Sequence, residues 1–281
     1  MKTILALIAS PRKKGNCELA VKELVKHIPE PHKLKLLRLS DFKIKPCKAC
    51  FKCLFGKMNC SINDDLIKII KAMIETDVII LSVPTYFLGA NSELKVLLDR
   101  GLAFYKYAEQ IWGKPAIGIG VAGLEGKEGT TALEIRRFLK VLLADIKGIE
   151  ILIGSLPGEV LLNSNNNEKI QNLGKILSEK SIPNNEQKCP LCGNDTFQFF
   201  PNNHVKCIVC SNFGEMVLEE GKPVFKIEKD KHGIFLTPED AEDHLKWLQS
   251  MKQRYLEKRK EMKEVRNSFH GDWDWIKPEN H

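Results

Sequence analysis

Five short apolar runs, at 2–9, 34–39, 77–84 (DVIILSVP), 115–121 (PAIGIGV) and 150–155, punctuate the first 180 positions, each bounded by turn residues. Runs of this length and texture predict strands buried on both faces, as in a parallel sheet. Between them apolar residues recur every three or four positions. Leu19, Ala20 and Leu24, with Glu23 and His27 at the same helical spacing, follow the first run as an amphipathic helix, and Leu66, Ile69, Ile70 and Met73 form one stripe within 64–75. Further helices are predicted over 91–107, 130–147 and 167–180. Strands alternating with helices predict an α/β doubly wound parallel sheet. Such sheets bind ligands beyond the carboxyl ends of their strands, where the strand order reverses.

Four segments follow those carboxyl ends. After the first strand comes Ser10-Pro-Arg12-Lys-Lys-Gly15-Asn16-Cys17. A polar, glycine-containing loop entering a helix aims backbone N–H groups and the positive helix end into one concavity, which suits a phosphate monoester. Ser10, Arg12 and Asn16 could add hydrogen bonds, and Gly15 permits the tight backbone; an unoccupied turn is the alternative. After the third strand comes Pro84-Thr85-Tyr86-Phe87-Leu88-Gly89. Tyr86 and Phe87 offer an aromatic wall and Gly89 a close backbone approach to a flat ring, although ordinary loop packing would use the same residues. After the fourth strand, amides near Ala122 and Gly123 could bond a planar ring's carbonyls and nitrogens. One phosphate nest with one planar slot matches FMN.

The second strand leads into Cys47-x2-Cys50-x2-Cys53-x6-Cys60. Two-residue gaps turn successive sulfurs to one centre and the longer gap returns the fourth, the geometry of a [4Fe-4S] core. The last spacing and the missing proline separate this loop from ferredoxins, and a zinc knuckle or a reactive thiol cluster would be the alternatives. Lys43, Lys45, Lys48, Lys52 and Lys57 surround the loop in a chain of net charge +7. They could offset an anionic cluster and steer an acidic donor, or form a plain solvated surface. At 281 residues, 43% apolar and 28% charged, the composition is that of an ordinary globular protein. The opening MKTILALIAS reads as a strand, not a signal peptide, and no run is long enough to span a bilayer. The expected location is the cytoplasm, where nine cysteines mean metal or chemistry more often than disulfides.

Residues 1 to about 180 resemble the flavodoxin-like iron-sulfur flavoproteins, relatives of the NAD(P)H-dependent FMN reductases. The resemblance is carried by the 10–16 loop, the four cysteines followed by Asp64-Asp65, the 84–89 loop, and Leu94-Lys95 with Asp99-Arg100. It implies a flavodoxin-like five-stranded sheet of order 2-1-3-4-5, FMN, a [4Fe-4S] cluster and a homodimer or homotetramer. It also implies electron passage between cluster and flavin, within one chain or across a subunit interface. By position it maps FMN contacts onto Ser10, Arg12, Asn16, Cys17, the 84–89 loop and Ala122-Gly123. Cys17 departs from the family's usual threonine or serine. A thiol is the poorer donor to phosphate; a helix start would lower its pKa and make a redox role conceivable, though simple substitution in the nest is the preferred reading.

Polar, proline-broken 181–188 reads as a linker. Beyond it Cys189-x2-Cys192 and Cys207-x2-Cys210 form two knuckles with short strands between them, predicting a zinc ribbon; rubredoxin-type iron would use the same ligands. So small a module needs the metal to fold. Thr237-Pro-Glu-Asp240 starts a last helix running to about 265, with Leu245, Leu248, Met251 and Tyr255 as its apolar stripe and a basic remainder. Trp273 and Trp275 in the tail suggest docking on a partner or a second protomer. The expected organisation is a flavin domain over 1–182, a ribbon over 183–232 and a basic helix and tail over 233–281. The expected function is an oxidoreductase moving electrons from reduced ferredoxin or NAD(P)H through the cluster and FMN to an acceptor. A cluster-free FMN or quinone reductase and a redox-sensing nucleic-acid regulator are the alternatives, although acids among the basic residues make nucleic acid an unexpected partner.

Overall fold

The computed structural model describes residues 1–177, 187–269, 271, 274 and 276. The first unit contains β1 (Lys2–Ile8), α1 (Asn16–Val25), β2 (His32–Arg38), α2 (Leu66–Ile74), β3 (Val78–Tyr86), the two-residue β4 (Gly89–Ala90) and α3 (Ser92–Asp99). It continues through a 3-10 segment (Gly101–Tyr107), α4 (Ala108–Ile111), β5 (Pro115–Ala122), α5 (Thr131–Val141), β6 (Asp145–Ile153) and α6 (Ser164–Ile176). Parallel strands lie in the order β2-β1-β3-β5-β6, with β4 paired only to β3 as a small hairpin. Counting the five main strands alone, this is the expected order 2-1-3-4-5. Ile4 aligns with both Leu34 and Val78, so β1 sits centrally and the strand order reverses beside it.

Alternation along β1 divides the core into two faces. Leu5 and Leu7 pack with α2, α3 and α5 through Ile69, Ile70, Leu97 and Phe138. Ile4, Ala6 and Ile8 pack on the opposite face with α1 and α6 through Val21, Leu24, Ile170 and Leu173. The glycines of PAIGIGV allow close approach: a Cβ at Gly118 would lie 2.5 Å from Ile135 Cγ2, and one at Gly120 would lie 2.3 Å from Ile151 Cδ1.

Several element limits differ from the pattern. The helix expected over 130–147 ends at Val141, and β6 begins at Asp145. An edge strand tolerates the polar residues Asp145, Lys147 and Glu150, and Leu143 turns the chain with φ of 45°. The helix expected over 91–107 tightens into 3-10 turns after Asp99, where Arg100 is drawn toward the cysteine loop. The helix expected over 167–180 starts at Ser164, because Asn163 accepts from the backbone N–H groups of Asn165 and Asn166 and caps it. Its expected last turn, the domain boundary at 182 and most of the linker lie outside the described residues.

The second sheet is antiparallel, with β7 (Phe197–Phe199), β8 (His204–Cys207), β9 (Phe213–Glu219) and β10 (Lys222–Ile227) in the order β10-β9-β8-β7. It is larger than the short strands between the knuckles required. Phe197 and Phe225 stack at 3.8 Å between ring centroids, and Arg137 of α5 donates to the Ile208 carbonyl at 3.0 Å, tying the sheet to the first unit.

Thr237 caps α7 (Pro238–Glu257) by accepting from Asp240 N–H at 3.2 Å, as its sequence requires. The terminal helix is not continuous to 265: it breaks at Lys258, and α8 (Arg259–Ser268) follows with no buried residue. Leu245 and Leu248 pack with Ala241 against Leu54 and Tyr105, so α7 covers the cysteine loop. Met251 is half-buried and Tyr255 is 42% exposed. Trp273 and Trp275 lie outside the described residues. Among the described residues, no helix is long and apolar enough to cross a membrane.

Candidate functional site

A cleft of about 240 Å³ opens where β1, β3, β5 and β6 end. Nine predicted residues line it: Ser10, Arg12, Gly15, Asn16, Cys17, Pro84, Thr85, Tyr86 and Gly123. The 10–17 loop is shaped by its own chemistry. Glu18, almost fully buried, accepts from Lys14 N–H at 2.9 Å and pairs with Lys22 and Arg38, each at 2.6 Å. Burial raises the Glu18 pKa, but those three partners outweigh it and hold the carboxyl below the ordinary value. A Cβ at Gly15 would lie 2.9 Å from Arg12 Cβ, so the loop closes at this width only around glycine. No side chain caps α1, and its first residues line the cleft, leaving N–H groups to receive an anion.

Two predicted roles change in detail. The Asn16 amide is already engaged, donating to Gly154 carbonyl at 2.9 Å and accepting from Gly158 N–H at 2.8 Å. It therefore ties the nest to the β6–α6 loop, and its backbone remains for a ligand. The Cys17 thiol does not have the lowered pKa expected of a helix start. Burial pushes it up to about 12, with opposing contributions from Ser82 and Ser10.

Phe87, Leu88, Gly89 and Ala122 are not among the cleft-lining residues. Phe87 and Leu88 form the β3–β4 hairpin with φ of 48° and 64°, and Phe87 is wholly exposed. Gly89 faces Glu134 and Thr130, while Ala122 is buried in β5 with its carbonyl accepting from Gly154 N–H at 2.9 Å. Val121, Gly154, Ser155 and Pro157 line the cleft without having been predicted. The turn signal Gly154-Ser-Leu-Pro157-Gly158 after the last strand could have found the last three, since neighbouring strand ends share one rim, and Val121 ends the predicted fourth strand. Ser155 Oγ donates to the Gly123 carbonyl at 2.6 Å, joining the β5 and β6 loops.

Cys47, Cys50, Cys53 and Cys60 line a second, small cavity with Arg100, Leu102 and Ala103; no residue lines both cavities. Ala49, Phe51 and Met58 adopt φ of 48°, 54° and 51°. Each left-handed non-glycine residue costs on the order of 1 kcal/mol, a strain retained in a loop whose four cysteines line one cavity. Ala49 N–H donates to Cys47 Sγ at 3.4 Å, and Cys50 Sγ lies 3.3 Å from Ser61 Oγ. Ser61 and then the Lys52 backbone hold the Cys50 thiol below its ordinary pKa. Burial, followed by the neighbouring Cys60 charge, raises that of Cys53. Lys43, Lys45, Lys48, Lys52 and Lys57 are all exposed around this loop.

One buried pair clasps the loop. Arg100 donates to Asp64 Oδ2 at 2.6 Å, to the Lys45 carbonyl at 2.7 Å and to Cys60 Sγ at 3.1 Å, and both side chains are 1% exposed. Asp64 also accepts from Lys45 N–H at 3.0 Å and Leu66 N–H at 3.2 Å. Burial opposes its charge, but Arg100 and these two amides hold its carboxyl below the usual range.

The ribbon cysteines differ in scale. Cys189, Cys192, Cys207 and Cys210 are buried, and among the described residues theirs is the one metal-competent group whose ligand atoms all lie within 4.8 Å of one another. Cys189 and Cys210 sulfurs are 3.8 Å apart, and those of Cys192 and Cys207 are 3.5 Å apart. A tetrahedron with zinc–sulfur bonds of about 2.3 Å has sulfurs roughly 3.8 Å apart, whereas a disulfide would need about 2.05 Å. The quartet therefore fits one tetrahedrally held metal ion and not a disulfide. The 47–60 cysteines do not form such a closed group among the described residues; they line one small cavity instead.

Comparison with known proteins agrees with this geometry. The family model for NADPH-dependent FMN reductase matches residues 2–146. An iron-sulfur flavoprotein of Methanocaldococcus jannaschii is 30% identical over 188 residues, covering 63% of this chain and 95% of that protein. Another, from Archaeoglobus fulgidus, is 29% identical over 180 residues, covering 64% of this chain and 80% of its own length. The solved structure of a flavone reductase is similar in fold, with a TM-score of 0.72 at 17% identity, over 99% of this chain and 100% of that one. Sheet order, rim cleft and matched segment together establish that the chain belongs to the NADPH-dependent FMN reductase family.

Proposed function

We propose that this protein is a flavin-dependent iron-sulfur oxidoreductase that carries electrons between a donor, a [4Fe-4S] cluster, FMN and an acceptor. The observation that carries the reading is one chain holding both an anion-ready rim cleft and a separate four-sulfur loop clasped by Arg100 and Asp64. FMN would supply one- and two-electron chemistry and the cluster one-electron chemistry.

The residues' work is placement. The α1 amides and Arg12 would bind the FMN phosphate, Gly15 would admit it, and Thr85, Tyr86 and Gly123 would bound the ring. Cys47, Cys50, Cys53 and Cys60 would hold the cluster, with α7 over Leu54 restricting water. Cys189, Cys192, Cys207 and Cys210 would hold zinc as a folding element of the ribbon. Exposed Lys48, Lys52 and Lys57 suit an acidic donor such as reduced ferredoxin, with NAD(P)H as the other donor class. A homodimer or homotetramer would let a cluster serve the flavin of its own or a neighbouring chain. Nine cysteines, eight of them in two four-cysteine groups, suit the reducing cytoplasm.

Anaerobic purification followed by iron, sulfide, zinc and flavin analysis tests the proposal. About four irons, one zinc and one FMN per chain are expected. Full FMN without iron would instead identify a cluster-free FMN or quinone reductase. Salt-dependent, sequence-selective DNA binding that changes with oxidation would favour a regulator.

A further inference from the structure

Arg100 does more than a loop staple requires. A staple is complete once the guanidinium meets Asp64 at 2.6 Å and the Lys45 carbonyl at 2.7 Å, because those bonds already join the two ends of the cysteine loop. The second terminal nitrogen, which also donates to Asp64 Oδ1 at 3.4 Å, makes its shorter contact to Cys60 Sγ at 3.1 Å. Its side chain is 1% exposed, so water does little to screen the charge it presents to that sulfur. The lysines around the loop are exposed and solvated. Among the described residues, Arg100 is the one cationic side chain hydrogen-bonded to a sulfur of the 47–60 quartet.

We infer that Arg100 is a positioning residue that sets the reduction potential of the cluster through Cys60, and that Asp64 limits the size of its effect. The inference rests on the reading that Cys47, Cys50, Cys53 and Cys60 hold a [4Fe-4S] cluster. Reduction adds one electron from the external donor to a cluster already anionic from its thiolates, and part of that charge falls on the ligand sulfurs. A cationic donor at one sulfur favours the reduced form and raises the potential. Arginine keeps its proton throughout, so the step moves an electron and no proton at this residue. Asp64, 2.6 Å from the guanidinium, offsets part of the positive charge felt at Cys60. The two side chains therefore act with opposite signs, which a purely mechanical clasp would not do.

The test uses the full chain, purified anaerobically, with iron per chain and the cluster midpoint read by electron paramagnetic resonance in a dye-mediated titration. Arg100→Gln is expected to shift the reduced-to-oxidised ratio at fixed potential about tenfold toward the oxidised form, a midpoint about 59 mV lower for a one-electron couple. Arg100→Lys, which keeps the charge, should recover part of that shift. Asp64→Asn, which keeps the donor and removes its counter-charge, should move the midpoint upward. An iron-loaded Arg100→Gln protein with an unchanged midpoint would overturn the inference. So would an Asp64→Asn midpoint that is unchanged or falls, and this variant decides the matter if Arg100→Gln does not retain iron. Wild-type protein lacking iron would bring down the cluster reading itself, a result distinct from an unmoved midpoint in loaded variants.

Discussion

Replacing Leu54 with alanine tests whether the C-terminal helix is a structural part of the cysteine loop. Leu54 follows Cys53, is 0% exposed and lies beneath Tyr105, Ala241, Leu245 and Leu248. The same residue's carbonyl accepts from Gln249 Nε2 at 2.8 Å. Truncation removes three carbons worth about 0.8 kcal/mol each, and the residual cavity adds to that. Fully buried Leu→Ala changes cost roughly 2–5 kcal/mol, and about 3 kcal/mol is expected here. Leu54 belongs to a cluster separate from the two faces of the main sheet. The loss should therefore appear first as local opening of α7 and the loop. If that opening gates loss of the cluster, 3 kcal/mol corresponds to iron release on the order of 100-fold faster. Anaerobic release to a chelator, with hydrogen exchange over 241–249, reads both effects. Iron release at the wild-type rate from a protein destabilised by the full amount would refute the coupling, as would a comparable loss of bound FMN.

Cys192→Ser should reduce zinc from about one per chain to none and remove exchange protection from β8 and β9, with FMN content unchanged. Arg12→Ala should weaken FMN about tenfold, a 1.4 kcal/mol change, and leave riboflavin affinity unaltered, because the lost contact is to the phosphate. Native Cys17 should resist alkylation at pH 8 because burial pushes its thiol up to about 12; labelling at the rate of an exposed thiol would contradict this. Glu18 has a folded pKa below its ordinary 4.5, so its contribution is full above that pH and is lost as pH falls through the folded value. Glu18→Gln should lower stability at neutral pH and flatten the acid limb of the stability profile in thermal melts taken across the acid range.

Much of the fold was legible because the apolar runs of β1, β3 and β5 are buried on both sides and bear few polar residues. β6 was harder, since at a sheet edge Asp145, Lys147 and Glu150 are tolerated and the run resembles the end of a helix. The rim cleft followed from the rule that strand ends carry ligands, and nine of its residues were named. Phe87 stands outside the cleft lining, because an aromatic two residues before a glycine looks like a ring stack in sequence, whereas the tight hairpin leaves it exposed. Cys17 lines the cleft as expected, but the direction of its pKa shift was misjudged, because helix-end electrostatics can be read from sequence and burial cannot. Arg100 was noticed only as part of a motif; its reach to Cys60 depends on the chain tightening after α3, which local periodicity does not encode. The cover of α7 over Leu54 joins positions 195 apart and left no trace beyond an apolar stripe.

The proposed function requires electrons to pass between the four-sulfur loop and the rim cleft. Anaerobic stopped-flow reduction of the flavin by a one-electron donor, comparing wild-type protein with a Cys50→Ser variant that retains FMN, measures that passage. Flavin reduction slowed by at least about 100-fold in the variant is the predicted result. Equal rates in the two proteins would contradict it.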